Sequence, residues 1–75
     1  MELRKNVEKE MQLLESEIRE LEVKRTRSMS ALMECLISKR APDEIEMQYF
    51  RRYTEEIDGK RDKLIALTEQ LKSMT

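Results

Sequence analysis

At 75 residues, 41% of them charged and 39% hydrophobic, with one Gly and one Pro, the chain fits a single charged all-helical domain and lacks the breakers that the turns of a sheet need. Its formal net charge of −1 exerts no general pull towards nucleic acid or anionic lipid. Cys35 is alone, which excludes a disulfide within the monomer, and with no His a structural zinc lacks its usual ligands; of the supports on which small scaffolds rely, a partner chain is left.

The opening stretch, "MELRKNVEKE", is charged throughout and shows no apolar run of the signal-peptide kind. No apolar run anywhere approaches the ~18 residues needed to span a membrane. The lone Cys fits a reducing compartment, so the expected location is cytoplasmic and soluble.

A first helix is expected from about residue 2 to 39. Val7, Met11, Leu14, Ile18 and Leu21 alternate in steps of four and three, and Arg25, Ser28, Leu32 and Cys35 carry on in the same phase, making one continuous seam. Towards the end of this helix the pattern thickens. Met29, Ala31, Leu32, Met33, Cys35, Leu36 and Ile37 crowd together, more apolar residues than one helix face can hide.

The stretch "SKRAPDE" reads as a stop and restart, with the turn at about 40–42. Lys39 and Arg40 suit a helix C-terminus, Pro42 a first helical turn, and Asp43 and Glu44 the positive end of the next helix dipole. A second helix follows from about 43 to 73, with its seam through Phe50, Tyr53, Ile57, Lys60, Leu64, Leu67, Leu71 and Met74. Gly59 is the weak point, since an interior Gly costs about 1 kcal/mol relative to Ala. It lies on the outward face, and the seam keeps phase across it, so a continuous helix is expected.

The expected architecture is therefore all-α: a coiled-coil-like antiparallel two-helix hairpin, one domain over residues 1–75, completed by self-association into a helical bundle. Centring the turn on Ala41 and Pro42 sets Cys35 opposite Phe50, Leu32 opposite Tyr53, Ser28 opposite Ile57, Arg25 opposite Lys60 and Leu21 opposite Leu64. At ~1.5 Å per residue the longer helix runs about 55 Å.

On this hairpin Met29, Met33, Leu36, Ile37 and Met47 form an apolar collar at the turn end that nothing in the chain covers. Thioethers adapt to varied partners, so the collar is the expected protein interface, against a second copy (a dimer favoured) or another helical protein. The densest aromatic patch is "YFRRY". Phe50 and Tyr53 belong to the seam, whereas Tyr49 and Arg52 are of the types enriched at interface hot spots and join the expected interface. Arg25, Ser28 and Lys60 make a polar seam layer of the kind that fixes register or oligomer state. With Lys24, Arg27, Arg61 and Lys63 at the same level, a basic belt is the alternative role for this region. Interleaved acids and the absence of Gly-rich cradles weigh against anion binding.

Catalysis has no footing. Without His the usual acid or base near neutral pH is missing, Cys35 has no base beside it in sequence, and no nucleotide fingerprint, metal-ligand spacing or nucleophile elbow occurs. The expectation is a non-enzyme with no cofactor, no metal and no catalytic residue. Two function classes follow: an adaptor or assembly module, and a small nucleic-acid-associated regulator, which nucleic-acid binding with steep salt dependence would distinguish. The outline, a short hairpin with the aromatic pair of "QYF" (Gln48, Tyr49, Phe50) just after the turn, is similar in shape to the small helical export chaperones of bacterial type III secretion systems. That resemblance implies a chaperone as an alternative function.

Overall fold

The computed structural model describes residues 2–74, as two helices: α1, Glu2–Ile37, and α2, Glu44–Ser73. They pack antiparallel. Glu10 reaches Lys63, Ile18 and Leu21 enclose Ile57, and Ser28 lies beneath Tyr49 and Tyr53, so the order along one helix is the reverse of the order along the other. The resulting all-α hairpin measures 56 × 16 × 14 Å, its length that of α1 at ~1.5 Å per residue.

The apolar spacing that defines each seam is also what drives the pairing. Val7, Leu14, Ile18, Leu21 and Ser28 on α1 and Ile57 on α2 are buried, and Met11, Arg25, Leu32, Cys35, Phe50, Tyr53, Lys60, Leu64, Leu67, Leu71 and Met74 are half-buried. Every seam residue thus turns inward. Ile57 has no exposed surface; it joins Ile18 and Leu21 as the centre of the core, with Tyr53 and Leu64 against them.

The register differs from the one that the turn position implies. Ile57 lies among Ile18 and Leu21 rather than opposite Ser28, and Lys60 donates to Glu17 rather than facing Arg25. The slip is about one seven-residue repeat. Two seams of equal spacing match equally well after any whole repeat, so the residues that meet must decide. In the turn-centred register the most buried apolar side chain would face a serine, and two cations would meet within the seam. The observed register gives Ile57 apolar neighbours and Lys60 a carboxylate.

The turn accounts for the slip. Lys39 adopts φ 57°, its N–H donates to the Leu36 carbonyl at 3.1 Å, and the Arg40 N–H donates to the Cys35 carbonyl at 2.8 Å. This pair of bonds closes a helix in the Schellman manner, here with Lys at the left-handed position that Gly usually takes. Helix α1 therefore ends at Ile37, two residues before the expected 39. Asp43 is not the first helical residue but the N-cap: its backbone is extended (φ −69°, ψ 120°) and its Oδ1 accepts from the Ile45 N–H at 2.9 Å. Pro42 accordingly precedes the cap instead of entering the first turn. Helix α2 runs unbroken through Gly59, which faces open space.

Candidate interaction surface at the turn end

The core is unevenly distributed. All buried hydrophobic residues of α1 lie between Val7 and Leu21, and α2 contributes only Ile57. From there to the turn, among the described residues, no hydrophobic side chain is fully buried. That same end carries the collar: Leu36 is 68% and Ile37 78% exposed, with Met29, Met33 and Met47 also open to solvent. Apolar residues placed one or two positions off the seam escape the partner helix, because a two-helix pair encloses only one stripe of each.

The structure divides the expected interface residues between two broad faces. At 3.6 residues per turn, Met47 and Tyr49 project about 200° apart around α2. Met47 shares a shallow groove with Glu44, Gln48 and Arg51, and by the same helical geometry its face continues into Met29, Met33 and Leu36 on α1. Ile37 points further round, near the back of its helix. Tyr49 leans the other way. Its ring stacks on Tyr53, centroids 6.1 Å apart at 15°, over a groove lined by Lys24, Arg27, Ser28 and Glu46. Arg52 lies on this second face, where a groove with Ile45, Gln48 and Tyr49 runs beside it. Tyr49 and Arg52 are thus not part of the methionine face.

Ile45, 61% exposed, was not expected as a surface residue of this groove. Its signal in sequence is an apolar residue in the first turn of a helix, off the seam and four positions before the exposed Tyr49.

The polar seam layer is dispersed rather than gathered. Lys60 pairs with Glu17, Ser28 is buried beneath the Tyr49–Tyr53 groove, and Arg25 is half-buried between these levels. The α2 half of the basic belt is engaged across the helices: Lys60 Nζ lies 2.5 Å from Glu17 Oε2, Arg61 Nη2 2.7 Å from Glu22 Oε1, and Lys63 Nζ 3.5 Å from Glu10 Oε1, whereas Lys24 and Arg27 of α1 line the Tyr49 groove. These pairs are about a third or more exposed, so each adds only about 0.2–1 kcal/mol, but together they favour one register. Cys35 is a free, half-buried thiol in the seam.

Among the described residues no group of three or more acidic or Cys side chains is placed to hold a metal ion. No helix among them is long and apolar enough to cross a membrane. Comparisons with protein-family models, curated proteins and solved structures found no match.

Proposed function

We propose that this chain is a non-catalytic assembly module, a helical hairpin that covers its apolar turn end against a second helical surface, in the first place a second copy of itself. The observation that supports this is the displacement of the core: the buried hydrophobic residues occupy the middle of the hairpin and the half away from the turn, while Met29, Met33, Leu36 and Met47 stand open beside the turn. Each such side chain, if fully buried, would contribute about 1.5–3 kcal/mol. The nucleic-acid alternative gains less support, since Lys60, Arg61 and Lys63 each reach a glutamate. The likeness to export chaperones remains one of shape.

Sedimentation equilibrium over a wide concentration range tests the proposal. The expected result is a dimer or larger species for the unmodified chain, and a helical monomer for Met33→Glu with Leu36→Glu. An unmodified chain that stays monomeric throughout would overturn self-association, and a double variant with unchanged mass would remove the collar from it.

A further inference from the structure

The residues around Met47 and Met29 say how a second copy would lie. Met47 is bracketed by Glu44 one turn before and Arg51 one turn after, both exposed and neither engaged in an ion pair within the described chain. On α1 the same level is found by counting ten residues towards the turn from the Leu21–Ile57 contact region, which brings residue 31 level with residue 47. Met29 and Met33 straddle that level, as Glu44 and Arg51 straddle Met47. A surface whose features are arranged symmetrically about one level, with opposite charges on its two sides, is complementary to itself turned end for end.

We infer, on the basis of the assembly reading above, that two copies dock turn end over turn end, antiparallel, about a two-fold axis that crosses both helices at the level of Ala31 and Met47. In this arrangement α2 crosses α2 of the second copy, and Glu44 of each meets Arg51 of the other. Helix α1 crosses α1 of the second copy, and Met29 of each packs on Met33 of the other. Leu36 is covered in the same overlap.

The place of the axis sets the overlap. From the level of Ala31 to the turn is about nine residues, so the two copies overlap over about twice that, five turns of helix or ~27 Å, with the methionines at the centre; a face of this width would bury roughly 1,000 Å² in total, near the lower bound for a specific interface. Laying the hairpins side by side along their full length, turns at the same end, would cover the collar too. It would also desolvate the continuation of the face, where Glu8, Glu15 and Arg61 take the place of methionine and leucine, Arg61 being already joined to Glu22 at the edge of the shorter overlap. Burying ions already served by water costs more than their pairing returns. The overlap confined to the turn end avoids that cost and yields a rod about 85 Å long instead of a bundle the length of one hairpin.

Charge exchange tests this directly. Glu44→Arg and Arg51→Glu, each made alone, place like charges together at both contacts, and each is expected to weaken the dimer about tenfold at low salt, with less effect at high salt. Mixing the two single variants restores opposite charges at both contacts, so a heterodimer of unmodified affinity is expected. The doubly exchanged chain, Glu44→Arg with Arg51→Glu, is expected to dimerise as the unmodified one does, which separates the contact from any effect of Glu44→Arg on the α2 N-terminus. Small-angle scattering of the unmodified dimer is expected to give a maximum dimension well beyond the 56 Å of one hairpin. A dimer about as long as one hairpin, or one indifferent to the single exchanges or not restored by mixing, would overturn the two-fold overlap and leave assembly standing. A monomer would overturn both.

Discussion

Two residues one position apart from adjacent, Ile57 and Gly59, mark the extremes of what one helix asks of its side chains. Ile57 is fully enclosed, and Gly59 has nothing within 4 Å of where a Cβ would sit. Ile57→Ala is expected to destabilise the hairpin by about 2–5 kcal/mol, enough to unfold a small chain. Gly59→Ala is expected to stabilise it by up to about 1 kcal/mol, by sparing the backbone entropy of an exposed helical glycine. Urea titrations followed by far-UV circular dichroism check both, and the two midpoints should move in opposite directions. At this scale the sequence is most readable: heptad phase alone tells which of the seam positions turn inward, and does so even for Arg25, Ser28 and Lys60, whose polarity argues the other way. It is less readable where a side chain is off the seam. Ile45 and Tyr49 lie off the seam along one groove, and Tyr49 is held there by stacking on the ring of Tyr53.

Between the two helices, register is the property that periodicity leaves open. Both seams repeat every seven residues, so alignments one repeat apart match equally well. What chooses is the pairing of Ile57 with Ile18 and Leu21 and of Lys60 with Glu17, together with a left-handed Lys39 that stops α1 early and lets the non-helical segment 40–43 carry the chain back. A lysine at φ 57° gives no warning in the sequence, since glycine is the usual sign of this cap. Cross-linking separates the registers. In a Cys35→Ser background, Glu17→Cys with Lys60→Cys is expected to oxidise to an intramolecular disulfide with loss of both free thiols. Arg25→Cys with Lys60→Cys, neighbours only in the turn-centred alignment, is expected to keep them. The reverse outcome would restore the turn-centred register.

As a whole, the molecule is a rod whose buried apolar contacts run from its middle away from the turn. The middle of the hairpin holds the apolar contacts of Ile18, Leu21 and Ile57, the half beyond it adds buried Val7 and Leu14, and the turn end holds half-buried side chains and open methionines. The proposed assembly follows from that imbalance, because a surface that the hairpin leaves uncovered is available to another helix pair. The imbalance also concerns motion. In a hairpin held evenly, the chain ends fray and the turn, closed by covalent connection, is the last part to open. Here the order is expected to invert: backbone amides from about residue 25 to 50 should exchange with solvent deuterium through frequent local openings, while those flanking Ile18 and Ile57 should exchange only when the two helices part. If copies assemble through the turn end, raising the protein concentration should slow exchange in that segment and leave the opposite end unchanged, so the tip would acquire its order only on meeting another molecule.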